Sequence, residues 1–201
     1  MLRVARKALP LGLLLVVFAQ GTAFAANVSI VDNAFSPSTT TLAPGGSVLW
    51  TRTGSNPHTT TSDSSTVWPW DSGTLAQNGT FSKSFPAAGS FPYHCNIHTF
   101  MHGTVDVLVQ VSPTSGTHGV TQFTLTWASG SIPSGYNVDV QYSRNGGAWT
   151  NIAAFQNRTG NQVSATATAP SAGDYQLRAR LQLGTGSATA YSPPSVTVHV
   201  T

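Results

Sequence analysis

FPYHCNIHTFM, residues 91–101, contains the only cysteine of the chain and one of its two methionines. Within this segment, Cys95, His98 and Met101 follow one another at three-residue steps. A thiolate, an imidazole and a thioether are three of the four ligands of a type 1 copper site, where one Cys and two His surround the ion and a Met binds weakly along the axis. The segment therefore predicts a copper site and requires a second imidazole from elsewhere in the chain.

The second imidazole is predicted to be that of His58, which follows a proline upstream. A redox copper site needs a soft thiolate that suits Cu(I) and imidazoles that suit Cu(II). Its geometry must also change little between the two states, and a β-sandwich provides that rigidity. Because a Cys taken alone is often only a buried apolar residue, the prediction depends on the joint pattern of His58, Cys95, His98 and Met101.

Two further histidines are neighbours of these candidate ligands. His94 precedes Cys95, and successive side chains of a strand alternate between its faces, so His94 is predicted to point away from the metal. His102 follows Met101 and is predicted to face solvent. Neither histidine is predicted to bind copper.

The first residues have the features of a secretory signal peptide. Three basic residues precede a short apolar stretch at 9–19, and Ala23-Phe24-Ala25 matches an A-x-A cleavage signature. We therefore predict a signal peptide over 1–25, a mature chain that begins near Ala26, and export to the periplasm or the extracellular space. No Cys stands directly after the cleavage site to carry a lipid, and no stable membrane anchor is expected.

Removal of the signal peptide changes the charge of the chain. Three of its nine basic residues lie in the signal, so six basic residues remain against six acidic ones. Nucleic-acid binding requires a clustered cationic face, and the sequence predicts no nucleic-acid partner. A single Cys in an exported chain cannot form an internal disulfide, and metal binding is a physical reason to keep it.

The mature chain is predicted to be all-β, because apolar residues alternate in short runs between Gly-, Pro- and Ser-rich turns. Two β-sandwich domains are predicted, over 26–111 and 112–201. In the first, strands are expected at 28–32, 47–51, 80–85, 90–95 and 103–111. In the second, alternating apolar residues are expected to form strands within 123–127, 136–142, 163–167, 175–181 and 196–200. Asn145-Gly146 predicts a hairpin turn.

The motifs of the first domain resemble the plastocyanin and amicyanin branch of the cupredoxins, in the order of that family. They are Phe35-Ser36-Pro37, Pro44-Gly45, Val48-x-Trp50, Pro57-His58-Thr59, Asp71-Ser72-Gly73 and Tyr93-His94-Cys95. The resemblance covers 27–111, and the short Cys95-to-Met101 loop is more similar to amicyanin than to plastocyanin. It implies an eight-stranded Greek-key sandwich with one type 1 copper ion bound by His58, Cys95, His98 and Met101.

The chain departs from this family at two positions beside the ligands. Many members have Pro where this chain has Ile97, and many have Asn where it has Thr59. The residue after the upstream His helps to brace the ligand loop in the family. These departures therefore bear on the potential and rigidity of the site more than on ligation.

The second domain resembles a fibronectin type III module, so that the expected fold is a Greek-key cupredoxin sandwich followed by an immunoglobulin-like sandwich. The resemblance is carried by Phe123-x-Leu125-x-Trp127, by Tyr175-x-Leu177-Arg178-Ala179-Arg180 and by Ser192-Pro193-Pro194-Ser195. No set of nucleophile, base and orienting residue is recognisable in it. We expect a spacer or adhesive unit that binds a protein or a surface.

The function expected from this combination is one-electron transfer by copper that cycles between Cu(I) and Cu(II), without enzymatic chemistry. Electrons are expected to pass at the edge of His98, where a redox partner protein would dock on a small apolar patch formed by Phe91, Pro92, Ile97 and Phe100. For Phe91, a place in the core is an equally good expectation.

Three alternatives remain at this point. A copper oxidase or nitrite-reducing enzyme needs further copper ions, held by H-x-H motifs across two copper domains, and the sequence contains no H-x-H. Copper delivery, storage or sensing is the second alternative, although such proteins tend to be rich in Met and Met101 is the only mature one. The third is an adhesive protein whose copper domain has lost its role. The full ligand set argues against this alternative.

Overall fold

The computed structural model describes residues 25–201. The predicted signal peptide therefore lies outside the described residues, apart from Ala25. Two β-sandwiches follow one another along the chain, and the predicted all-β class is confirmed. Within the described range, no helix has the length and hydropathy needed to cross a bilayer.

The first sandwich has eight strands in two four-stranded sheets, ordered β2-β1-β4-β6 and β3-β8-β7-β5. The pairs β1–β4 and β3–β8 are parallel, and the other neighbours are antiparallel. The strands are β1 (Ala25–Val31), β2 (Ala34–Ser36), β3 (Thr39–Leu42), β4 (Ser47–Arg52), β5 (Thr61–Ser62), β6 (Thr80–Ser84), β7 (Gly89–His94) and β8 (His102–Val107).

Alternation of side chains builds the core of this sandwich. In β4, Val48 and Trp50 are fully buried, whereas their neighbours along the strand are partly exposed. In β7, Phe91 and Tyr93 point inward in the same way. Trp50 and Tyr93 meet edge to face across the two sheets, with ring centroids 5.4 Å apart. The inward register of β7 also directs Cys95, two residues beyond Tyr93, toward the interior.

The second sandwich has a three-stranded sheet, ordered β14-β11-β9, and a five-stranded sheet, ordered β10-β16-β15-β12-β13. Its strands are β9 (Gln110–Ser112), β10 (Ser115–Gly116), β11 (Phe123–Thr126), β12 (Tyr136–Arg144), β13 (Thr150–Asn151), β14 (Ser164–Ala167), β15 (Gly173–Leu183) and β16 (Val198–Val200). A short 3₁₀ helix, Ala153–Phe155, lies between β13 and β14.

Two local features of the second sandwich agree with the immunoglobulin-like expectation. Asn145 and Gly146 both have positive φ, 52° and 68°, and the Gly147 N–H donates to the Arg144 carbonyl at 2.9 Å, so the predicted turn forms at the end of β12. The Tyr175 hydroxyl donates to the carbonyl of Ser171 at 2.9 Å, which is the contact of a tyrosine corner. The narrower assignment to fibronectin type III stays a prediction.

The passage between the sandwiches differs from the expected single strand over 103–111. That segment forms two strands, β8 and β9, and β9 pairs with β11 of the second sandwich. Only Leu108 and Val109 separate the two strands, and Val109 is buried. The predicted domain boundary between 111 and 112 stays a prediction, but the strand pairing already changes sandwich before it.

The two sandwiches touch through their backbones. The Ala88 N–H donates to the carbonyl of Trp127 at 2.8 Å, and the Ser129 N–H donates to that of Pro86 at 2.8 Å. On the other side, the Ser90 N–H donates to the Ala190 carbonyl at 3.1 Å. Residues 86–90, which lead from β6 into β7, are thus hydrogen-bonded to the second sandwich at three points.

Candidate metal centre

Three of the four predicted ligands converge on one point. The Nδ1 atoms of His58 and His98 lie 3.1 Å apart, and they lie 3.7 and 3.8 Å from the Sγ of Cys95. A point equidistant from these three atoms is about 2 Å from each, within reach of metal–nitrogen and metal–sulfur bonds of about 2.0 to 2.3 Å in protein sites. The donor set of two imidazoles and one thiol therefore fits a transition-metal ion.

The loop after β7 brings Cys95 and His98 together. Cys95 is the first residue after the strand, and its N–H donates to the carbonyl of Met101 at 3.1 Å. The Met101 N–H donates in turn to the carbonyl of His98 at 2.9 Å. These two bonds close residues 95–101 into a tight loop, as the three-residue spacing predicted. Met101 is buried, and its role as fourth ligand stays a prediction.

His58 reaches the same point from the segment before β5. Its carbonyl accepts the N–H of Leu75 at 2.9 Å, which fixes the backbone of the residue. The side chain of His58 is fully buried, as is that of Cys95, whereas His98 is half-buried. The site therefore has a dry interior, and its edge toward solvent is formed by His98.

Burial favours the neutral imidazole that a metal requires. Desolvation, followed by the charge of His98, lowers the pKa of His58 below its ordinary value. The Nδ1 of a neutral imidazole can then offer its lone pair to a metal. Its Nε2 is buried without a hydrogen-bond partner among the described residues, and the Oδ1 of Asp32 lies 3.6 Å away. The backbone N–H groups of Asn56 and Ser55 lower the pKa of Asp32, so a carboxylate faces this nitrogen.

Thr59 braces the ligand loop, although many members of the resembled family have Asn at this position. Its N–H donates to the Sγ of Cys95 at 3.4 Å, and its Oγ1 accepts the N–H of Asn96 at 2.8 Å. The side-chain amide of Asn96 also donates to the Oγ1 of Thr61 at 3.0 Å. Hydrogen bonds therefore join the segments that carry His58 and Cys95 beside the ligands, and the Thr59 hydroxyl is the acceptor of one of them.

Thr59→Ala is expected to lower the free energy of unfolding of the metal-free protein by about 1 kcal/mol, because the Asn96 N–H loses its buried acceptor. Urea unfolding followed by tryptophan fluorescence measures this change. Thr59→Ser retains the hydroxyl and is the matched control, which should unfold close to the wild type. Equal midpoints for Thr59→Ala and the wild type would mean that the hydroxyl does not brace the loop.

The two histidines that were not predicted as ligands lie outside the triad. The Nδ1 of His94 is 2.5 Å from a carboxylate oxygen of Asp63, and its Nε2 is 2.9 Å from the side-chain oxygen of Asn96. His102 is exposed, with its ring 6.4 Å from that of His94. The sequence analysis missed these roles of Asp63 and Asn96, because no local spacing connects Asp63 to residues near 95.

The surface around His98 is apolar at its centre. Phe100 is 64% exposed, with its ring centroid 6.0 Å from that of His98, and Ile97 is 43% exposed. Pro92 is exposed as well. Phe91, in contrast, is buried in the core, with its ring centroid 5.1 Å from that of Phe85. The predicted apolar patch therefore exists without Phe91.

Three carboxylates lie near the residues of the site, Asp32 beside His58, Asp63 beside His94 and Asp71 beside Asn96. Besides Asp32 and Asp63, Asp71 is exposed and accepts a hydrogen bond from the hydroxyl of Thr61 at 3.0 Å, next to Asn96. Residues 25–111 contain four Asp and only two basic residues, Arg52 and Lys83. Arg52 is buried, and its guanidinium donates to the carbonyls of Ser55, Asn56 and Leu75. The exposed charge near the site is therefore negative.

Comparisons with known proteins give neighbours for part of the chain. No protein-family model matches the sequence, and no curated protein matches it. Similar solved structures include a mutant of amicyanin in its reduced Cu(I) form at pH 4, at 24% identity and a TM-score of 0.39, and a second amicyanin mutant in its Cu(I) form, at 26% and 0.39. Each alignment covers 41% of this chain and 81% of the amicyanin chain. A purple cupredoxin from Nitrosopumilus maritimus has 25% identity and a TM-score of 0.37, over 41% of this chain and 98% of its own.

Proposed function

We propose that this protein binds one copper ion in a type 1 site and carries single electrons. The observation that carries the proposal is the triangle of one buried sulfur and two Nδ1 atoms, with sides of 3.1, 3.7 and 3.8 Å. Met101, buried on the same closed loop, is the proposed axial ligand. Copper in such a site supplies a centre that alternates between Cu(I) and Cu(II).

The residues of the chain exclude water from the ligand atoms, hold the ligands in place and provide a route for the electron. His58 and Cys95 are fully buried, so the ligand atoms on the interior side stay free of water. The hydrogen bonds of Thr59 to Cys95 and Asn96 hold these ligands in one arrangement for both oxidation states. His98 reaches the surface between Ile97 and Phe100, and its imidazole edge is the proposed route for the electron.

Visible absorption and EPR on the mature protein, loaded with one equivalent of Cu(II), test this proposal. A strong thiolate-to-copper band in the visible range, together with narrow copper hyperfine splitting, is the expected result. A colourless complex with a tetragonal copper signal, or no bound copper, would contradict a type 1 site. Copper delivery or storage would then be the better hypothesis.

The partner proposed for this site is a redox protein with a cationic docking face. It would contact the apolar surface of Ile97 and Phe100, while basic side chains approach the carboxylates of Asp32, Asp63 and Asp71. Charge pairing of this kind raises the association rate at low salt and is screened as ionic strength rises.

Small redox reagents test the charge of the docking face without a known partner. Oxidation of the reduced copper protein by a cationic cobalt(III) phenanthroline complex should slow with added salt, whereas oxidation by anionic ferricyanide should accelerate. Stopped-flow absorption at the copper band measures both rates. Asp63→Asn should weaken the two salt dependences, and Asp174→Asn, an exposed carboxylate of the second sandwich, should leave them unchanged. Salt dependences of the same sign for both reagents would contradict a negatively charged face.

Export and the role of the second sandwich complete the proposal. The predicted signal peptide supports a location in the periplasm or the extracellular space, and the second sandwich is proposed to be a fibronectin type III-like unit that binds a protein or a surface. N-terminal sequencing of protein recovered outside the cytoplasm should begin near Ala26. Recovery only from the cytoplasm, with an intact N-terminus, would contradict export.

A further inference from the structure

The second sandwich also contacts the loop that precedes β6 in the first sandwich. Tyr136, the first residue of β12, places its hydroxyl 3.2 Å from the N–H of Trp68, which donates to it. The same hydroxyl donates to the carbonyl of Thr66 at 3.4 Å. The rings of Tyr136 and Trp68 also pack edge to face, with centroids 5.7 Å apart. One side chain of the second sandwich thus binds residues 66–68 by two hydrogen bonds and a ring contact.

The backbone of Trp68 needs such support. Its φ is 54°, and the other non-glycine residues with positive φ in the described chain are all asparagines. A bulky residue is an outlier in this region and stays there only when its surroundings fix it. The indole N–H of Trp68 donates to the carbonyl of Ser84 at 2.8 Å, and the Lys83 ammonium lies 4.7 Å from the ring centroid. Tyr136 is the contact that holds the backbone N–H itself.

The residues after Trp68 pair with the segment that carries His58. The Ser62 N–H donates to the carbonyl of Trp70 at 3.0 Å, and the Ser72 N–H donates to that of Thr60 at 3.0 Å. Further along, the N–H of Leu75 binds the carbonyl of His58. Residues 70–75 therefore hold the backbone of 58–62 by hydrogen bonds. Residues 66–68 lead directly into this segment, so their position sets the position of its first residues.

We propose that Tyr136 is a positioning residue for the metal centre. From the second sandwich it fixes residues 66–68, and through the paired backbones of 70–75 it holds His58 in place for metal binding. The second sandwich is then part of the structure of the site as well as a spacer. The part of this inference that concerns copper rests on the proposed function, whereas the part that concerns the loop does not.

Amide hydrogen exchange on the metal-free, full-length mature protein tests the loop. Tyr136→Phe keeps the ring and removes the hydroxyl, so exchange within 58–75 should become about five to ten times faster, the effect of losing hydrogen bonds with a net value near 1 kcal/mol. Tyr191→Phe is the matched control, because the described residues provide no hydrogen bond to that hydroxyl, and its exchange in 58–75 should equal the wild type. Unchanged exchange in Tyr136→Phe would overturn the proposal.

Copper binding tests the second step. In Tyr136→Phe the blue band should persist, and the affinity for Cu(II), measured by competition with a chelator, should fall by a similar factor of about five to ten. Faster exchange with unchanged affinity would overturn the positioning role. Faster exchange in a protein whose wild type forms no blue complex would instead contradict the proposed function and leave the loop contact supported.

Discussion

Cys95→Ser is expected to abolish the visible thiolate-to-copper band, because that band requires a sulfur ligand and Cys95 provides the only thiol of the chain. The serine hydroxyl is a poor ligand for copper, so only two imidazoles remain as strong ligands, one fully buried and one half-buried. Affinity for Cu(II) should fall by more than about 100-fold, since loss of residues that merely orient a ligand already costs about 10- to 100-fold. Optical titration with Cu(II) and EPR measure the loss of the band and of affinity.

His94→Ala and His102→Ala are the controls for this experiment. His94 is bound to Asp63 and Asn96 instead of facing the thiol, and His102 is exposed. Both variants should therefore keep the blue colour and bind one equivalent of copper. Loss of colour in either variant would show that the ligand assignment is wrong.

Gly103→Ala is expected to destabilise the first sandwich by about 2 to 3 kcal/mol, because it would overpack the core. Gly103 pairs with Tyr93 across β7 and β8, and an added Cβ would lie 2.5 Å from the Tyr93 hydroxyl oxygen and would overlap the adjacent ring carbon. The ring cannot move aside easily, since Phe35 and Trp50 pack against it at centroid distances of 4.7 and 5.4 Å. Chemical unfolding of the metal-free protein measures the change.

Gly186→Ala is the matched control, because a Cβ there would meet the Leu183 carbonyl at an ordinary 3.5 Å. A second readout follows the ring itself. Burial raises the pKa of Tyr93 to about 12, so a ring displaced toward solvent should ionise at lower pH, closer to 10. An unfolding midpoint for Gly103→Ala equal to that of the wild type would contradict the packing argument.

The centre of the site could be predicted because its signal is local. Cys95, His98 and Met101 lie within one short loop. Because a cysteine and a histidine can both bind copper, finding them so close together is informative even without a structure. Strands such as β4 and β7 were predictable for a similar reason, since their buried residues are large and apolar. The strand β3, with the sequence Thr-Thr-Thr-Leu, was missed because its buried Thr40 is polar and hides the alternation.

The support of the site could not be predicted from the sequence. Thr59 and Asn96 meet only because two distant segments lie side by side, and the role of a threonine hydroxyl depends on which N–H faces it. The positive φ of Trp68 has no sequence signal, because the residues that favour this conformation are Gly and Asn. Tyr136 belongs to the alternating pattern of β12, and its contact with the first sandwich depends on how the two units pack.

The short passage between the sandwiches also has a consequence for motion in solution. Leu108 and Val109 alone join β8 to β9, and backbone hydrogen bonds from 86–90 to Trp127 and Ala190 close the joint on its other sides. A unit on a flexible tether reorients independently of its neighbour, whereas these two should tumble with a single rotational correlation time. The face around His98 would then reorient toward its partner at the slower rotational rate of the whole molecule. If the second sandwich were bound to a surface, the orientation of that face would be fixed as well.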